Sequence, residues 1–158
     1  MSSVKYLGVI LDQNLSGNSQ AADVLKKASA WLAFLYRKSD LLDFRTRITL
    51  CQALMQPFFD YCCSSWFSAV NFNLKGRLGA LQRKMVRFVF NFDSRFSVTT
   101  HHLRKLGWLS VSDRVRYFKL ILAFKIRTGQ APSYLSDSFT NFSSVQYSTK
   151  SNRLLGFW

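Results

Sequence analysis

Glutamate does not occur in this chain; all eight acidic residues are aspartates, set against 22 lysines and arginines. No two aspartates are adjacent, so the paired carboxylates that hold two catalytic metal ions are missing. There is no glycine-rich phosphate loop. His101 and His102 are the only histidines and stand side by side, so no Ser/His/Asp catalytic set suggests itself. Cys51, Cys62 and Cys63 are odd in number and form no Cys-x-x-Cys pair, which argues against zinc and for reduced thiols in an intracellular protein, nuclear or cytoplasmic. The longest apolar run is far too short to span a membrane. Met1-Ser2-Ser3 leads straight into the first apolar strand without a signal-peptide pattern. The expectation from these absences is a binding or structural module: no catalytic residue, no metal, no cofactor of its own and no membrane partner.

The 158 residues suffice for one domain with a sizeable core, and 48% hydrophobic and 16% aromatic content argues against disorder. The net charge is +14. A surplus of that size, spread through structured segments, points to a polyanion, with nucleic acid ahead of an anionic membrane surface or an acidic protein. A solvated basic surface with no partner is the plain alternative.

The fold class read from the pattern is mostly α, a helical bundle preceded by one N-terminal strand. Val4 to Asp12 is almost continuously apolar and is followed by the turn residues Asn14 and Gly17, which predicts a strand buried on both faces. Nothing later reads as a partner strand, so the expectation is a sheet completed by sequence outside this chain. A helix is predicted from about Gln20 to Leu42, capped by Asn18 or Ser19 and buried along Ala21, Leu25, Ala28, Leu32 and Leu35. Lys26, Lys27, Arg37 and Lys38 lie away from that stripe. Asp43 caps a second helix that Pro57 should kink or break and that should resume through Phe58 to Phe67 as the central buried element. Asp60 within it is expected to be a carboxylate bonded to backbone or to an arginine.

The clearest pattern runs from Leu74 to Phe92. Leu74, Leu78, Leu81, Met85, Phe88 and Phe92 share one sector; Arg77, Arg83, Lys84 and Arg87 share another, making them the leading nucleic-acid-binding candidates. Gly76 and Gly79 cost helix propensity and either permit a close backbone approach or reflect weak selection. A short helix from Thr99 or Thr100 ends at Gly107; Trp108 and Leu109 read as core anchors. Ser110 caps a last helix with Val111, Val115, Phe118, Leu122 and Ile126 on one face. Arg114, Arg116 and Lys119 on it are further candidate phosphate contacts. No domain boundary is evident before residue 136. The segments expected are 1–18, a sheet remnant; 19–135, helical; and 136–158, an irregular tail whose Phe157-Trp158 ending suggests truncation.

Several of these segments, in order, resemble non-LTR (LINE-type) retrotransposon reverse transcriptases just beyond the catalytic palm. The resemblance rests on Tyr6-Leu7-Gly8 within the apolar strand, Lys26-Lys27-Ala28, Leu35-Tyr36-Arg37-Lys38, and Pro57 with Asp60-Tyr61-Cys62. It continues through Leu81-Gln82, Lys84 and Val86-Arg87, then Leu106 to Val111 with Asp113-Arg114-Val115, and Ala131 to Leu135. It implies the end of the palm with Tyr6, Leu7 and Gly8 in a primer-grip-like segment, then a helical thumb and a downstream extension. The partners it implies are an RNA or DNA template–primer and the absent palm, whose aspartates and magnesium ions would perform RNA-directed DNA synthesis; Asp12 is not one of those aspartates. Family members commonly carry a bulky aromatic where Gly17 stands, so a looser turn is expected there. The competing readings are a helical protein–protein interaction module and a non-functional remnant of a mobile element.

Overall fold

The structure, a computed structural model, describes residues 3–137; the expected irregular tail lies almost wholly outside them. The apolar opening run is two strands, not one. Ser3–Tyr6 (β1) and Val9–Asp12 (β2) pair antiparallel, with Tyr6 opposite Val9 and Ser3 opposite Asp12. Leu7 (φ 44°) and Gly8 (φ 84°) between them both take positive φ, as in the two-residue hairpin turns whose twist matches the strands. The run therefore supplies its own partner. It is also not buried on both faces: β1 is exposed throughout and β2 is largely half-buried. The mostly helical expectation holds for the rest.

Asn18–Tyr36 (α1) buries Ala21, Val24, Leu25, Ala28, Leu32 and Leu35. Gly17, not Asn18 or Ser19, occupies the cap position. Asn18 instead accepts a hydrogen bond from the Asn71 backbone (3.0 Å). The helix stops six residues short of Leu42, because Ser39–Leu41 tightens into a 3-10 turn. The Ser39 and Leu42 carbonyls then accept from Arg47 Nη2 and Nε.

Phe44–Leu50 (α2) is capped as expected, Asp43 accepting from the Thr46 N–H. The chain then widens into a π-helical turn at Cys51–Met55 and re-enters α-helix at Gln56–Asp60 (α3), with Pro57 in its first turn. A proline has no N–H to donate and its ring crowds the carbonyl four residues back; the wider turn relieves both. A second break follows where continuous helix was expected. Tyr61 and Cys62 are exposed, Cys62 is left-handed (φ 49°), and Cys63–Trp66 (α4) starts afresh.

Phe72–Phe90 (α5) is capped by Asn71, whose side chain accepts from the Leu74 N–H (2.8 Å), and ends on left-handed Asn91. Its buried side chains, Leu78, Leu81, Met85, Val86, Phe88 and Val89, pack with those of α1, Cys51, Met55 and Trp66 into one core. Thr100–Lys105 (α6) and Val111–Arg127 (α7) follow. Trp108 anchors the loop between them; Leu109 is exposed. The chain divides into two compact units at Phe118/Lys119, inside α7. In the second unit Ile126 is buried and residues 133–137 are helical.

Candidate nucleic-acid interface

At about 100° per residue, Arg83, Arg87, Lys84 and Arg77 occupy roughly 120° of the α5 circumference. Arg77, Arg83 and Lys84 are exposed, while Arg87 is half-buried and donates from Nε to the Phe96 carbonyl (2.8 Å). The four do not form one flat face. They crown a ridge between two grooves. On one flank, Arg77 and Lys84 join Lys26 and Ser29 of α1 around a groove of about 350 Å³. On the other, Arg83 and Lys75 line a groove of about 480 Å³ bounded by the start of α6 and the start of α7.

The cations on the first flank are uncompensated. Lys27 pairs with Asp23 and Arg114 with Asp60, and Lys26, Arg77 and Lys84 take part in neither pair. No carboxylate lines either groove. Lys84 also meets α1 through its backbone: its carbonyl accepts from Tyr36 Oη (3.3 Å), and burial pushes the Tyr36 hydroxyl pKa up.

Arg114 is differently placed. It grips Asp60 in a two-pronged pair, Nε to Oδ1 and Nη2 to Oδ2 (2.7 Å), which joins α7 to the end of α3. Asp60 is thus the arginine-bonded carboxylate expected, and its hydrogen bond raises the Arg114 pKa. Arg116 is exposed on the same unit, and Lys119 is exposed where the second unit begins. Tyr6, Leu7 and Gly8 form the hairpin tip, with Tyr6 64% and Leu7 74% exposed. Tyr61 holds that tip: its hydroxyl donates to the Leu7 carbonyl (2.5 Å) and its ring lies against Gly8.

Sequence pattern alone missed Lys26 and Ser29 as partners of the α5 cations, because only tertiary packing brings α1 alongside. It also missed Gln82. That buried amide donates to the Leu109 carbonyl (2.8 Å) and accepts from the Val111 N–H (3.1 Å), fixing the start of α7 against α5. Gly76 makes no close backbone approach among the described residues, since an added Cβ would meet nothing within 4 Å there. Among the described residues no three His, Cys, Asp or Glu side chains group so as to hold a metal ion. No described helix is long and apolar enough to cross a membrane.

A ridge of unpaired cations between two helix-walled grooves defines a basic helical surface suited to a polyanion. Over 117 residues the chain is 27% identical to a protein described as a probable RNA-directed DNA polymerase from transposon X-element of Drosophila melanogaster. The match takes in 72% of this chain and 13% of that protein, so the chain spans about an eighth of its relative's length. No family model and no solved structure matches the chain. A relationship to retrotransposon reverse transcriptases is what this similarity supports.

Proposed function

We propose that the chain corresponds to the part of a non-LTR reverse transcriptase just C-terminal to the palm, and that it holds a template–primer duplex by its phosphates without performing the polymerisation. The observation that carries this reading is the α5 ridge, where Arg77, Arg83 and Lys84 stand exposed and without a carboxylate partner among the described residues. Such contacts position a duplex without reading its sequence. Each phosphate contact releases condensed counterions, so log K falls with log salt at about −0.9 per contact on a duplex. Arg77 and Lys84 on the α1 flank account for about 2 units of that slope, and replacing both by alanine removes them. An unchanged slope with the fold intact by circular dichroism removes this ridge as the nucleic-acid surface. Primer extension with Mg²⁺ or Mn²⁺ on the isolated chain is expected to give no incorporation above a no-protein control; incorporation would overturn the assignment to a non-catalytic segment.

A second reading, a helical protein-interaction module, is favoured by the hairpin, which exposes Val4, Tyr6 and Leu7 together. In the polymerase reading those side chains face the palm; in the second, a different protein. A hydrophobic interface of that kind shows little salt dependence, which separates the two. A remnant with neither activity would bind in neither assay.

A further inference from the structure

The second groove differs in chemistry from the first. Phe72, Gly76, Gly79 and Arg83 stand at i, i+4, i+7 and i+11 on α5, so about 60° of arc contains all four. Phe72 is 92% exposed, the highest among the large apolar side chains described. A phenylalanine this bare at the first turn of a helix buries almost nothing against the described residues. Arg83 stands at the other end of the lane, about 16 Å along the axis at 1.5 Å per residue. Its guanidinium lies back over Gly79, where an added Cβ would come within 3.6 Å of Nη1. The two glycines between them leave the floor as bare backbone. The far wall includes the exposed Thr100 and Ser112 side chains. The result is an open channel of about 480 Å³ with an aromatic face at one end, a cation at the other, hydroxyls along the side and no carboxylate.

We infer that this α5–α6–α7 groove takes an unpaired nucleic-acid strand: a base stacks on Phe72 and a phosphate two to three nucleotides away meets Arg83. A rigid duplex does not suit it, because stacking on Phe72 needs a base whose face is free. An unpaired strand offers a π-face on every base and a charge on every linkage, the two features that aromatic and basic groove residues recognise without sequence preference. This extends the duplex-holding reading and rests on it: the ridge grips paired phosphates on the α1 side, and the strand running past the duplex end lies in the opposite groove.

The test compares a blunt duplex with the same duplex carrying a six-nucleotide single-stranded overhang, by fluorescence anisotropy at fixed salt. The overhang is expected to tighten binding about tenfold. Phe72→Ala, an exposed position whose loss leaves the core intact, should abolish that gain and leave blunt-duplex affinity unchanged. Phe72→Trp should retain it, which a merely structural role for Phe72 would not require. A 2-aminopurine base in the overhang should change fluorescence on binding to the parent chain and not to Phe72→Ala. If blunt and overhang substrates bind equally, or Phe72→Ala weakens both alike, the groove is not a single-strand site while the duplex-holding reading stands. If neither substrate binds, both fail.

Discussion

Gly17 lies where the hairpin hands over to α1, buried, with φ 67°, and the backbone carbonyl of Trp66 packs directly against its Cα. An added Cβ would overlap that oxygen and reach within 3.2 Å of the Val70 side chain. The left-handed conformation alone costs a non-glycine residue on the order of 1–3 kcal/mol. The turn expected to be loose is therefore tight, and Gly17→Ala should lower the unfolding free energy from urea titration by at least that much, whereas Gly76→Ala, with open space around it, should raise it by a few tenths of a kcal/mol up to about 1. Equal effects at the two positions would contradict the packing described. The thiols carry a second prediction. Burial pushes the Cys51 pKa up to about 12 and also raises that of Cys63, with the Asp60 charge adding to the latter. Cys62 is exposed. A thiol reagent at pH 8 should label Cys62 fast and the other two at the rate of unfolding. The same burial sets a pH limit. The folded Cys51 pKa lies above the unfolded value near 9, so its contribution is whole below pH 9 and is lost as pH climbs toward 12. Hydrogen bonds from Ser16 and Thr46 hold Asp12 and Asp43 below the usual carboxylate range. Their contribution is present above about pH 4 and is lost as pH falls through the folded values. The urea midpoint should thus decline on both sides, and Cys51→Ala should flatten the alkaline side alone.

Which elements the sequence makes legible follows from where their determinants lie. The α5 period is carried by its own residues and reads correctly, displaced by two because Asn71 supplies the cap. The start of α7 reads correctly for the same reason, Ser110 and Asp113 bonding reciprocally. The hairpin does not, because its turn is Leu7-Gly8 rather than the Asn-Gly that signals such turns, and the flanking run is apolar without alternation. The end of α1 is set from a distance: Arg47, only 9% exposed, reaches the Ser39, Leu42 and Phe88 carbonyls and the Asn91 side chain, and no local pattern announces that. The basic ridge was half legible; its residues are in the α5 pattern, but its division into two grooves depends on α1, α6 and α7. At this scale the hairpin is the weakest part. Its turn strains Leu7, and Tyr61 is the contact that holds the tip. Leu7→Asn should stabilise it by about 0.5–1 kcal/mol, since asparagine tolerates φ > 0. Tyr61→Phe should lower amide-exchange protection in β1 and β2 while leaving α5 as it was. Protection in the hairpin equal to that in α5 would mean that it is supported by more than Tyr61 and the Gln20 side chain, which accepts from the Ile10 N–H (2.8 Å).

Most of the carboxylates described cap helices and tie turns, and none of them neutralises the ridge. Asp12 ties the turn before α1 through Ser16, Asp43 caps α2, Asp93 accepts from the Arg95 N–H and Asp113 accepts from the Ser110 hydroxyl at the start of α7. Asp23 and Asp60 pair with Lys27 and Arg114. Against a net charge of +14, that leaves a surface repelling itself at low salt. Raising ionic strength from 10 to 150 mM shortens the Debye length from about 30 to 8 Å. For the free chain this should raise Tm by several degrees, because repulsion between the ridge and Lys26 is screened. For the chain saturated with duplex the trend should reverse. The bound polyanion stabilises the fold by mass action, and salt weakens that binding as it releases the advantage of counterion displacement. The two Tm curves should therefore converge with rising salt. Arg77→Ala with Lys84→Ala should raise the free curve, by removing repulsion, and lower the bound one, by removing contacts. Opposite signs from one pair of substitutions are what a polyanion-binding ridge requires. A solvated basic surface predicts the rise alone, and a surface whose charges are already compensated predicts neither.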